Sequence, residues 1–123
     1  YEAAIARRRH LARLYDERLR DLAGLVLPPG PDADPDHFDI YQNYEIEADR
    51  RDELRAFLDA NAVKTIVQWG GKTIHQFPKL GLNSDVPNTE KMTRRFCLLP
   101  LNTSLADDDV EYVCDKIRAF YGA

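Results

Sequence analysis

A chain of 123 residues has room for one domain, and its 44% hydrophobic and 31% charged residues are typical of a folded protein rather than a disordered one. The net charge of −4 argues against nucleic-acid binding, because such proteins concentrate positive charge to neutralise phosphates. The sequence has two cysteines, Cys97 and Cys114, and no apolar run approaches the roughly 20 residues of a membrane helix. We therefore expect a soluble, cytoplasmic domain with reduced thiols and no membrane contact.

The first half of the chain predicts one helix, one loop and one strand. Apolar residues recur at intervals of three and four from Tyr1 to Leu22, which indicates an amphipathic helix that Gly24 is placed to end. The sequence begins inside this pattern without methionine or a helix cap, so we expect a piece of a longer protein. Residues 28–36, rich in Pro, Gly and Asp, predict a loop, and the alternation over residues 38–46 predicts a half-buried strand.

The second half predicts three more helices and two more strands. Asp49 is placed as the N-cap of a helix that runs to Asn61, and the apolar residues of the last helix share one face. With β-α-β connections in sequence, this order predicts an α+β fold, a two-layer sandwich. The remaining predicted elements are a strand over Val63–Trp69 that ends at Gly70-Gly71, a loop over Lys72–Val86, a short helix to Arg95, a strand over Phe96–Leu101 and a final helix that begins at Asp107 and ends before Gly122.

No group of residues forms a self-contained active site in the sequence. His37 follows Asp34 and Asp36 in a loop, where the acids suit turn formation better than a metal site, so we expect no bound metal. Cys97 and Cys114 are interpreted as buried core thiols. The acids on the polar side of the predicted strand, Glu45 and Glu47, are interpreted as solvated. We therefore assign no catalytic residue to this chain.

The segment Gln68–Gln76 differs because it concentrates aromatic, cationic and polar residues directly after a predicted strand. The backbone amides of a Gly-Gly pair can approach an anion, Lys72 adds a positive charge, and Trp69 offers an aromatic face to a sugar or a base. A plain Gly-Gly turn with a tryptophan packed at its edge explains the same residues. The sequence alone leaves both interpretations open.

Four motifs follow one another along the chain: LARLYDERL in residues 11–19, YQNYEI with RRDELRAFLDANAV in residues 41–63, QWGGKTIHQFPKLGL in residues 68–82, and PNTEKMTRRFCLLPLNTSLADDDVEYVCDKI in residues 87–117. Taken in order, they resemble the end of the DegT/DnrJ/StrS family of nucleotide-sugar aminotransferases. The resemblance covers essentially the whole chain. One departure is that many members have a proline-containing "YP.P" loop where this chain has "WGGK".

This resemblance implies the C-terminal small domain of a fold-type I enzyme that depends on pyridoxal phosphate. The cofactor and its Schiff-base lysine would belong to a large domain that precedes this chain. Residues 1–22 would be part of the helix that joins the two domains, and an isolated chain would then expose the apolar stripe of this helix and self-associate. None of the lysines in this chain matches the family's cofactor lysine.

The resemblance also implies a function for the segment after the predicted strand at Val63. Trp69 would stack on the sugar or base, Lys72 would meet the diphosphate, and His75 would bond a sugar hydroxyl. The full enzyme would transfer an amino group from glutamate to a nucleotide-linked keto-deoxysugar, with a dTDP-4-keto-6-deoxyhexose favoured, and would act as a homodimer. The alternative is a stand-alone, non-catalytic module for ligand binding or dimerisation. The predicted substrate-binding residues are Trp69, Gly70, Gly71, Lys72, His75 and Gln76.

Overall fold

Four α-helices and three short strands make up the computed structural model, which describes residues 1–123. The 3₁₀ turns are consecutive and form one segment between the second and third helices. The elements in order are α1 (Glu2–Leu19), β1 (Leu25–Val26), β2 (Tyr44–Ala48), α2 (Arg51–Ala60), 3₁₀ turns over Gln68–Gly71, Ile74–Gln76 and Pro78–Leu80, α3 (Pro87–Thr93), β3 (Phe96–Leu99) and α4 (Asp107–Tyr121).

The three strands form one antiparallel sheet in the order β1-β2-β3. The predicted α+β class is confirmed, but the expected β-α-β connections are wrong, because such crossovers join parallel strands. The predicted strand at Val63–Trp69 is also wrong: only Ile66 pairs, in an isolated bridge to Leu98. Trp69 and Gly70 have left-handed backbone angles, which cannot continue a strand.

The strand predicted over residues 38–46 is confirmed only in its second half. A turn comes first, in which the Asp39 carboxylate accepts a hydrogen bond from the Tyr41 N–H at 2.7 Å. Tyr41 has a φ of 50°, which no strand residue adopts. The alternating pattern therefore predicted the correct buried face of the strand. The strand begins only at Tyr44, because the hydrogen bond to the Asp39 carboxylate stabilises a turn before it.

The hydrophobic core lies between one face of the sheet and the helices α1, α2 and α4. Alternate residues of β2 point into it, so that Glu45 and Glu47 lie on the opposite face. No polar or charged residue is buried. The core residues that the strands and the helices contribute include Tyr44, Ile46, Ala48, Cys97 and Leu99 from the sheet and Leu11, Tyr15, Leu19, Leu54, Leu58, Val110, Val113, Cys114 and Ile117 from the helices.

The apolar stripe of α1 is covered within this chain. Leu11, Tyr15 and Leu19 are fully buried, and α1 packs along α4. The expectation of an exposed stripe is therefore wrong, because the last helix already supplies its partner surface. Large exposed apolar side chains lie instead between Ile66 and Leu82.

Helix ends depart from the sequence predictions in two places. The N-cap of α2 is Arg50 in a left-handed conformation rather than Asp49, whose carboxylate pairs with Arg95. Helix α1 ends at Leu19, before the predicted Leu22. The last helix agrees with its prediction, since it begins at Asp107 and ends with Gly122 at a φ of 75°.

Both cysteines are buried and free, as expected from the sequence. Burial raises the pKa of Cys97 to about 11 and that of Cys114 to about 12. Both therefore remain neutral core thiols at physiological pH. No helix is sufficiently long and apolar to cross a membrane.

Gly24 does not end a helix but makes room for an aromatic ring. A Cβ at this position would lie 2.6 Å from Cε1 of Tyr121. The Tyr121 hydroxyl donates a hydrogen bond to the Asp49 carbonyl at 2.6 Å, which fixes the ring in place. We expect Gly24→Ala to lower the free energy of unfolding by about 1–3 kcal/mol through overpacking, as measured by urea denaturation.

Gly122→Ala is the control, because a Cβ there has no atom within 4 Å. Its only cost comes from the left-handed backbone conformation, which alanine adopts less readily than glycine. Combining Gly24→Ala with Tyr121→Ala should remove the additional cost of Gly24→Ala. An equal cost of Gly24→Ala with and without the Tyr121 ring would contradict this explanation.

Candidate functional site

A cleft of about 710 Å³ opens on the face of the sheet that the helices leave uncovered. Its floor is formed by Glu45 of β2 and Phe96 of β3, and the segment of 3₁₀ turns forms one wall. Two threonines of α3 close the opposite side. The lining residues are Glu45, Val67, Gln68, Trp69, Gly71, Lys72, Thr73, Ile74, Phe77, Leu80, Thr89, Thr93 and Phe96.

Trp69 lies at the edge of this cleft with 84% of its surface exposed. Its backbone has φ 55° and ψ 25°, a left-handed conformation that is unusual for a bulky residue. The two glycines that follow also have positive φ angles, so the chain turns sharply at this point. The ring contributes little to the core and leaves an aromatic face open to a ligand.

Two side chains of opposite charge line the cleft without a partner. The Lys72 side chain forms no hydrogen bond or ion pair within the chain, and its ammonium lies over the Phe77 ring, 5.9 Å from the ring centre. Glu45 also forms neither contact, and its partial burial raises the pKa of the carboxyl group. Unpaired charges in a largely apolar cleft favour a ligand that carries both an anionic group and hydrogen-bond donors.

The other predicted site residues support the cleft from outside its lining. The His75 Nε2–H donates to Oε1 of Glu90 at 2.9 Å, which leaves Nδ1 to accept from the Thr73 hydroxyl at 2.8 Å. The Gln76 side chain accepts a hydrogen bond from the Thr73 N–H at 3.1 Å. Gly70 lies in the turn without contacting the cavity. The structure therefore brings Trp69, Gly71 and Lys72 to the cleft itself.

The contact between His75 and Glu90 joins the segment of 3₁₀ turns to α3. The His75 side chain is 14% exposed, and it is the side-chain link between these two elements. We expect Glu90→Gln to weaken this link and to accelerate trypsin cleavage after Lys72 and Lys79 several-fold. Limited proteolysis followed by mass spectrometry measures the rate at each lysine.

Asp85→Asn is the matched control, because Asp85 is exposed and has no side-chain partner. It removes one negative charge close to the same segment and should leave both cleavage rates unchanged. Equal rates in Glu90→Gln and in the unaltered chain would mean that the histidine contact does not hold the segment.

Glu45 was not predicted as a site residue. The alternation along β2 predicted the core-facing side correctly, but the opposite side was expected to be solvated. Pairing of β2 with β3 places Glu45 opposite Leu98 and beneath the folded-back segment that contains Trp69.

The chain is thus a small α+β fold that carries an open cleft lined by an exposed tryptophan and a lysine. The sequence pattern of the DegT/DnrJ/EryC1/StrS aminotransferase family matches residues 1–118. The chain therefore belongs to this family.

Curated proteins and solved structures give the same result. Over 121 residues the chain is 33% identical to a protein named Pleiotropic regulatory protein from Geobacillus stearothermophilus, covering 94% of this chain and 31% of that protein. It is 31% identical over 117 residues to the dTDP-4-dehydro-2,3,6-trideoxy-D-glucose 4-aminotransferase of Saccharopolyspora spinosa, covering 93% and 29%. It matches the crystal structure of S. venezuelae DesV in complex with a ketimine intermediate with a TM-score of 0.87 and 26% identity, covering 99% and 33%. The chain thus spans about a third of the length of these relatives.

Proposed function

We propose that this chain is the C-terminal small domain of a fold-type I aminotransferase that depends on pyridoxal phosphate. The full-length protein transfers an amino group from glutamate to a nucleotide-linked keto-deoxysugar, of the dTDP-4-keto-6-deoxyhexose class. The observation that carries this proposal is the cleft, where the unpaired Lys72 and the exposed Trp69 lie together. Membership of the aminotransferase family supports the class of reaction.

This chain could hold the cofactor by itself only if one of its lysines were suited to form the Schiff base. Pyridoxal phosphate needs a lysine for its Schiff base and an acid beside its ring nitrogen. None of the five lysines is buried, and Lys64 forms an ion pair with Asp59 of α2. The residues of this chain therefore do not fit a cofactor site, and we assign the cofactor to the large domain that the family resemblance implies.

The residues of this chain act on the substrate rather than on the cofactor. Lys72 attracts the diphosphate as a point charge, and Trp69 packs its face against the sugar or base. His75 holds the segment in place, since both of its ring nitrogens already have partners. We further propose a cytoplasmic homodimer in which the cleft lies close to the subunit interface.

The test is amino transfer by the full-length protein supplied with pyridoxal phosphate, glutamate and dTDP-4-keto-6-deoxyglucose. Mass spectrometry should detect the amino sugar together with one equivalent of 2-oxoglutarate. Production of 2-oxoglutarate without an amino sugar would mean that the acceptor is not a sugar of this class. Absence of both products would contradict the proposed reaction.

Lys72→Gln tests the assigned diphosphate contact in the same assay. We expect KM for the nucleotide sugar to rise about 10-fold or more with a smaller change in kcat, because a charged hydrogen bond to the substrate is lost. Lys79→Gln is the matched control, since Lys79 lies on the neighbouring 3₁₀ turn outside the cleft lining. Equal effects of the two substitutions would contradict a specific role for Lys72.

A further inference from the structure

Glu45 is a carboxylate that the fold brings into an apolar cleft and leaves without a partner. It lies on β2 between two core residues, Tyr44 and Ile46, and so points to the opposite face of the sheet. Glu47, the next residue on that face, differs because its carboxylate accepts a hydrogen bond from Arg95 at 3.1 Å. Glu45 has no such contact, although it lines the cleft.

The cations close to this part of the sheet are engaged elsewhere. Arg51, Arg55 and Glu45 all lie close enough to the Cys97 thiol to affect its pKa. Arg51 donates to the carbonyl groups of Thr93 and Phe96, and Arg55 donates to Thr65. Lys72 lines the same cleft but lies more than 4 Å from the Glu45 carboxylate, since the two form no ion pair. The oxygens of Glu45 are therefore free to accept hydrogen bonds from a ligand.

The surroundings of Glu45 limit the chemistry of its ligand group. A phosphate would be repelled by the carboxylate, whereas Lys72 at the edge of the cleft would attract it. Partial burial disfavours the unpaired charge, as the raised pKa of Glu45 indicates. Ligand groups that donate hydrogen bonds to this carboxylate therefore bind favourably. Two hydroxyl groups on adjacent carbons match the two oxygens of one carboxylate.

We propose that Glu45 accepts hydrogen bonds from adjacent hydroxyl groups of the hexose and makes the site selective for a sugar that retains them. This inference rests on the proposed function, and it assigns the sugar ring to the floor of the cleft and the diphosphate to its edge. A site built around such bonds discriminates against a sugar that lacks the hydroxyl groups, because its partly buried carboxylate is then left without donors. Glu45 is thus a specificity-determining residue.

The experiment compares two nucleotide sugars in the full-length protein. One is dTDP-4-keto-6-deoxyglucose, and the other is the corresponding sugar that lacks the hydroxyl groups at C2 and C3. We expect Glu45→Gln to lower kcat/KM for the hydroxylated sugar about 10- to 100-fold, mainly through KM, and to leave the deoxygenated sugar nearly unchanged. Glu47→Gln is the matched control on the same strand and face, and it should not alter the ratio of the two sugars.

The outcomes separate this inference from the proposed function. If the unaltered protein aminates neither sugar, the proposed function fails and this inference fails with it. If the protein aminates a sugar but Glu45→Gln affects both sugars equally, or neither, only the role of Glu45 is overturned. An equal loss for both would mean that Glu45 acts on folding or on contact with the rest of the full-length protein.

Discussion

Trp69→Ala is expected to weaken binding of a nucleotide sugar to the full-length protein about 5- to 150-fold. This range corresponds to the loss of one aromatic stacking contact of roughly 1–3 kcal/mol. Stability should change little, within about 0.5 kcal/mol, because the indole is 84% exposed. Isothermal titration calorimetry with dTDP-glucose measures the affinity, and thermal denaturation measures the stability.

Trp69→Phe is the matched control because it retains a flat aromatic face at the same position. It should bind dTDP-glucose within a few-fold of the unaltered protein. The left-handed backbone at Trp69 is common to both variants and does not distinguish them. Unchanged affinity in Trp69→Ala, or an equal loss in both variants, would contradict stacking as the role of this residue.

Tyr15→Ala is expected to lower the free energy of unfolding by about 3–5 kcal/mol. The Tyr15 ring is fully buried and stacks on Tyr44 with ring centres 4.8 Å apart. Its hydroxyl donates to the Pro100 carbonyl at 2.7 Å, which ties α1 to the chain that follows β3. Typical domains have only about 5–15 kcal/mol of stability, so this loss should be visible in urea denaturation of the 123-residue chain.

Tyr15→Phe separates the ring from the hydroxyl group. It keeps the stacking on Tyr44 and removes only the bond to Pro100, so we expect a cost of about 1–3 kcal/mol from the unsatisfied carbonyl. A cost in Tyr15→Ala no larger than that in Tyr15→Phe would contradict the view that this ring holds α1 against the sheet.

The helices were the part of the fold that the sequence predicted best. Their 3.6-residue periodicity reflects one buried face, and that face is the same in α1, α2 and α4 as in the pattern. The strand at residues 63–69 was predicted incorrectly because β-branched residues there are followed by a left-handed Trp69. The left-handed conformation of Trp69 belongs to the turn that it forms with Gly70 and Gly71. The intrinsic preference of tryptophan, which favours strands, does not predict this conformation.

The site was predictable in its location but not in all of its members. The concentration of Trp69, Gly71 and Lys72 after an apolar run identified one edge of the cleft. Glu45 is distant in sequence and enters the cleft through strand pairing, which composition does not reveal. His75 was predicted as a ligand contact, but its bonds to Thr73 and Glu90 depend on how α3 folds back.

A crystal structure of the full-length protein with bound dTDP-glucose tests the central claim most directly. We expect the diphosphate within hydrogen-bond distance of Lys72, the sugar or base against Trp69, and the cleft facing the cofactor domain. A nucleotide sugar bound elsewhere, with this cleft filled by other parts of the protein, would contradict the proposal that this domain binds the substrate.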